Sequence, residues 1–160
     1  MLAVSHPANA LSIGDSHELG FLLPSGPSGN QSTYIDHLVG MALGSIDIAN
    51  GQIYFRSNNA FSPLPTSVQV TSGVGTNINL GTGGVYMYLL ANYAGFGSEV
   101  WYVGDLHGMI TIPGLGGGCV LTKWSLFRAG VPGVPDGGTT GMLLGMGLAT
   151  LSMARRFLKS

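Results

Sequence analysis

Turn residues interrupt this chain too often for long helices to form. Pro24-Ser25-Gly26-Pro27, Ser57-Asn58-Asn59, Ser72-Gly73, Gly81-Thr82-Gly83-Gly84, Gly95-Phe96-Gly97, Pro113-Gly114 and Gly116-Gly117-Gly118 follow one another through the body. Between them lie short apolar stretches, the pattern of a sandwich or barrel of short strands. The predicted strands are 19–23, 53–55, 68–71, 77–80, 85–93, 100–103, 109–112 and 124–127. Strand 85–93 has the strongest pattern, because Tyr and β-branched residues favour a pleated surface. Its Val85, Met87, Leu89 and Ala91 should face one side, and Tyr86, Tyr88, Leu90 and Asn92 the other. Both sets are largely apolar, so this strand should be central and covered on both faces.

One stretch has a different period. Ser32–Leu43 places Tyr34, Ile35, Leu38, Val39 and Met41 close to helical spacing. Ser32 or Thr33 is suited to cap that helix, and Asp36 to sit in its first turn. The expected fold of residues 11–130 is therefore mainly β, a β-sandwich-like body of jelly-roll type with one short helix.

Charge narrows the function. Only 8% of the 160 residues are charged, and the net charge is −1. Six Lys and Arg cannot build the basic face that nucleic-acid binding needs. One Cys excludes an internal disulfide and a multi-Cys metal site. Of the basic residues, only Arg56, Lys123 and Arg128 lie in the body, while Arg155, Arg156 and Lys159 close the chain. Such a division suggests two environments.

The C-terminal segment is the informative one. From Thr139 to Ala154 the chain reads TTGMLLGMGLATLSMA without a charge, and Arg155-Arg156 follow. Sixteen residues span roughly 24 Å as a helix, at about 1.5 Å each. With Phe157 and Leu158 added and the arginines snorkelling, that approaches the ~30 Å hydrocarbon core. The competing reading is a buried helix of a soluble domain. The basic stop and the Pro-Asp-Gly-Gly break favour a transmembrane helix over 139–160, with the body facing away from the cytoplasm. Residues 131–138 then form a linker, which Pro135 keeps extended and Gly137-Gly138 keep flexible.

Val134-Pro135-Asp136-Gly137-Gly138, a short Leu/Gly/Met/Ala helix and Arg155-Arg156, in that order, resemble the PEP-CTERM class of sorting tails, in its VPDSG-type variant. The resemblance implies an exported bacterial protein of the cell surface or extracellular matrix. It implies an exosortase, a membrane transpeptidase, as partner. Val134, Pro135, Asp136, Gly137 and Gly138 are then the sorting motif, and Arg155 and Arg156 the basic stop. Asp136 stands where the commoner variant has Glu, and Gly137 where it has a second Pro. Residues 30–130 are loosely similar to small exported proteins with such tails. The similarity lies in VYMYLLANYAGFGSEVWYVGDL, ITIPG and WSLF. Their turn often carries Lys and Asp where this chain has Asn92 and Ala94, and no activity carries over from them. Residues 1–10 fit a truncated signal-peptide remnant, since Ala8 and Ala10 satisfy the small-x-small cleavage rule.

Catalytic chemistry is thin, and no cofactor or metal is expected. His6, His17, His37 and His107 make no metal-binding spacing. Asp15, His17 and Glu18 form a weak cluster that suits a solvated loop. Asp105 and His107 suit a turn. Cys119 has no evident base. The body is thus read as a structural or adhesive protein, not an enzyme. The alternative is a carbohydrate-binding module of the extracellular polysaccharide, with Tyr86, Tyr88, Trp101 and Tyr102 as ligand aromatics if they stay exposed. A hydrolase would need two converging carboxylates, such as Asp105 with Glu99.

Overall fold

The computed structural model describes residues 9–130. Two strands begin this body, β1 (Asn9–Ala10) and β2 (Glu18–Leu23), followed by helix α1 (Gln31–Gly40) after a 3-10 turn. A hairpin of β3 (Ile46–Ala49) and β4 (Gln52–Arg56) comes next. Then come β5 (Ser67–Gly73), β6 (Asn77–Asn79), β7 (Tyr88–Tyr93), β8 (Gly97–Tyr102), β9 (Met109–Thr111), β10 (Leu115–Gly116) and β11 (Cys119–Ala129).

Eight strands make one sheet in the order β10-β11-β7-β8-β2-β4-β3, with β5 also paired to β11. The remaining three form a second sheet, β1-β9-β6. The two sheets and single helix are consistent with a β-sandwich. The expected central strand is central: β7 lies between β8 and β11, and both its faces are covered. Leu89 and Ala91 join Trp101, Leu126, Ile78 and Ile110 in one core, beneath the small sheet. Tyr88 and Leu90 join Val100, Phe127 and the α1 residues Tyr34, Ile35 and Leu38 in a second core.

Regular alternation starts only at Tyr88. Before it, Met87 packs on the second core and Tyr86 on the first, the reverse of the pattern expected for a strand beginning at Val85. Gly83 and Gly84 both take positive φ, so the chain is still turning there.

The helix is shorter than expected at its C-terminal end. Met41 is already extended, and its N–H donates back to the Leu38 carbonyl. Neither Ser32 nor Thr33 caps it; Asn30 holds the cap position without a side-chain bond. Asp36 lies beyond the first turn and serves tertiary structure. Its Oδ1 accepts the Ser67 N–H at 2.7 Å.

No helix among the described residues is long and apolar enough to cross a membrane. The expected membrane helix 139–160, the sorting motif 134–138, the basic stop Arg155-Arg156 and most of the leader remnant lie outside the described residues.

Candidate functional site: an open apolar sheet face

The aromatics singled out from the sequence do not form a surface row. Tyr88 and Trp101 are fully buried, Tyr102 nearly so, and Tyr86 is half-buried against the first core. Trp101 and Tyr88 also lie in different cores. The Trp101 Nε1–H donates to the Ser12 carbonyl at 3.1 Å, and the Tyr88 hydroxyl to the Pro65 carbonyl at 2.6 Å. Burial pushes the Tyr88 phenol far above its ordinary range. The physical reason is position: β7 and β8 are interior strands, so their alternate residues fill two cores and leave none for a ligand.

A different face is open. The β3–β4 hairpin turns through Asn50 and Gly51, both at positive φ, 53° and 79°, as a two-residue primed turn requires. Its register sets Ile46 opposite Phe55 and Ile48 opposite Ile53. On the next ladder Phe21 of β2 pairs with Phe55, and Leu23 with Ile53. Directly opposed side chains share a face, so these residues make one apolar strip. Alternate β4 residues, Gln52, Tyr54 and Arg56, point the other way and are buried. In the strip, Ile46 is 64% exposed, Ile48 73% and Ile53 38%. β3 is the outermost strand of its sheet, so its far backbone edge has no strand partner among the described residues.

Phe21 and Phe55 stack with centroids 4.4 Å apart and planes 12° apart. Phe96 continues the stack at 6.5 Å from Phe21. Stacked rings cover one another's faces, so the strip suits apolar contact and strand addition better than the stacking of a sugar ring.

The polar groups are mostly committed to structure. His37 Nε2 lies 2.8 Å from Asp47 Oδ2, in a shallow cleft between α1 and β3 that Ser45 also lines. The Ser45 hydroxyl donates to the Ala42 carbonyl at 2.7 Å, so it is not held by the histidine as a nucleophile would be. Asp105 lies 3.5 Å from His17, not beside Glu99. Glu99 is instead buried on β8 near Glu18 and Asp15. The two carboxylates proposed from the sequence for a hydrolase are therefore not brought together. The Asp15 carboxylate accepts the N–H groups of Ser12 and His17, at 2.6 and 2.8 Å, as in a turn. Among the described residues, no three His, Cys, Asp or Glu side chains are grouped to hold a metal ion. Cys119 is a half-buried free thiol.

Comparison with known proteins bears on the other end of the chain. The family described as the VPDSG-CTERM motif matches residues 133–157. No curated protein and no solved structure matches the chain. The chain thus carries a VPDSG-CTERM motif at its C-terminal end. A signal of this kind implies an exported protein of the cell envelope.

Proposed function

We propose that this is a structural or adhesive protein of the bacterial surface or extracellular matrix, delivered there by its C-terminal signal. A membrane transpeptidase of exosortase type reads Val134–Gly138. Residues 139–160 hold the precursor in the membrane, with Arg155 and Arg156 as the cytoplasmic stop. The observation that carries this reading is the motif match over residues 133–157.

The body supports a role in contact rather than conversion. Among the described residues it presents an apolar strip beside an unpaired strand edge, and exposed apolar patches mark sites of association. Among the described residues no serine bonds the His–Asp pair in the neighbouring cleft, since Ser45 donates to the Ala42 carbonyl instead.

The test is the intact mass of the mature protein recovered from its own envelope and medium. The expected mass lacks the residues after the Pro135-Asp136 region. A mass that retains Arg155–Ser160 means a plain anchor and overturns the transpeptidase step.

A further inference from the structure

Glu99 sits on an interior strand, and its side chain is 1% exposed. Among the described residues no N–H or neutral hydroxyl donates to its carboxyl oxygens, and the side-chain group they meet is the Glu18 carboxyl. The register places it between Phe21 on β2 and Ala91 on β7, neither of which offers a side-chain donor. The charged groups acting on it are acids: Glu18 of β2 and Asp15 of the preceding loop. Glu18 is itself only 8% exposed. From β7 the Tyr93 phenol faces it, but that hydroxyl donates to the Pro113 carbonyl at 2.9 Å. Among the described residues no cation forms an ion pair with either glutamate; the ion pairs are His17–Asp105 and His37–Asp47.

Two carboxylates cannot share a dry site while both are charged. Glu18 is the one already engaged, since its Oε2 accepts the Gly14 N–H. Glu99 therefore keeps its proton. Burial first, and the Glu18 charge second, push its carboxyl up to about 9.

The segment over this pair is closed by a few bonds. Trp101 Nε1–H holds Ser12 at 3.1 Å, the Tyr102 N–H holds His17 at 2.8 Å, and Asn59 Nδ2 donates to the Asp15 and Glu18 carbonyls. Beneath it the β2–β8 register slips between Glu18 and Gly20, so the ladder is interrupted where the carboxyls meet.

We propose that the Glu18–Glu99 pair is a proton-held latch, in which one proton on Glu99 lets Ser12–His17 close over the sheet and its loss to bulk water opens that segment. A newly charged Glu99 beside Glu18 must be hydrated. Ser12, Ile13, Gly14 and Ser16 of the loop are exposed, so the loop faces the solvent that must supply that water.

The test uses the full-length chain between pH 6 and 10.5, read by tryptophan fluorescence and by exchange of the Trp101 indole N–H. A reversible opening with its midpoint near 9 is expected, absent in E99Q. C119S, which removes the chain's one thiol, must retain the transition. E18Q, which removes the neighbouring charge, should lower the midpoint by about one pH unit. It also serves as the readout if E99Q fails to fold. An identical transition in E99Q, an unmoved midpoint in E18Q, or a Glu99 carboxyl carbon that titrates in the ordinary acid range overturns the latch.

Discussion

Asp36 and His37 are consecutive residues of α1, yet they bond to strands at opposite ends of the eight-stranded sheet. Asp36 accepts the Ser67 N–H of β5 at 2.7 Å, and His37 lies 2.8 Å from Asp47 of β3. The sheet must therefore curl until its two margins come within reach of a single helical turn. Helix α1 packs Tyr34, Ile35 and Leu38 in one core with Leu22, Tyr54, Tyr88 and Phe127 of that sheet.

Removing the Asp36 carboxylate should loosen one margin. D36A leaves the Ser67 N–H without its charge-assisted acceptor, a loss of about 1–3 kcal/mol. Urea unfolding of the full-length chain measures it. An unchanged midpoint would show that the helix does not hold β5 in place.

Stability should fall as the solution becomes alkaline. The folded Glu99 carboxyl is raised to about 9, whereas the unfolded one titrates near the ordinary 4.5. Between those values the folded state holds a proton that the unfolded state has released, so the slope of stability against pH is negative. Thermal melts at pH 6 and 8.5 should show this decline in the natural chain and a flatter profile in E99Q. Equal declines would mean the proton sits elsewhere.

The apolar strip should be dispensable for folding and needed for contact. Ile46 and Ile48 are mostly exposed, so the double change I46S/I48S should cost about 0.5 kcal/mol or less per site. It should shorten retention on a hydrophobic-interaction column and weaken surface attachment. Unaltered retention would remove the strip from the adhesive reading.

Gly20 should not tolerate a side chain. A Cβ there would run into the Phe55 carbonyl oxygen, with Leu38 and the Arg56 backbone close behind. G20A is expected to destabilise by about 1–3 kcal/mol, visible as a lowered melting temperature. A neutral result would mean β2 and β4 can separate without penalty.

Deleting residues 139–160 should release the precursor from membranes. Fractionation of the producing cells checks this. A truncated chain that still sediments with membranes would mean that another segment holds it.

The strands with strong apolar or β-branched content were legible in the sequence, and so was the double coverage of β7. The β3 strand was missed although its signal is present: Ile46 and Ile48 alternate, and Asn50-Gly51 is a hairpin dipeptide. Its apolar residues are exposed, so a search for buried runs passes over it. β11 extends well before Trp124 because Gly116 and Tyr93 supply pairing partners for Cys119 and Leu121, a tertiary effect with no local trace. The candidate aromatics show the same limit. Alternation says which residues share a face, but only the docking of β6 and β9 decides that Trp101 is covered. Nor does any local feature mark Glu99 as buried. That follows from the register which sets it between Phe21 and Ala91.

The last described strand also has a mechanical consequence. β11 is held by β7 along one margin and by β5 along the other, and it is the element through which the body continues into the tail. A pull transmitted along the chain at Gly130 must break both ladders together, a more demanding failure than peeling one hairpin. A body tethered in moving fluid would thus bear drag on its most doubly secured element.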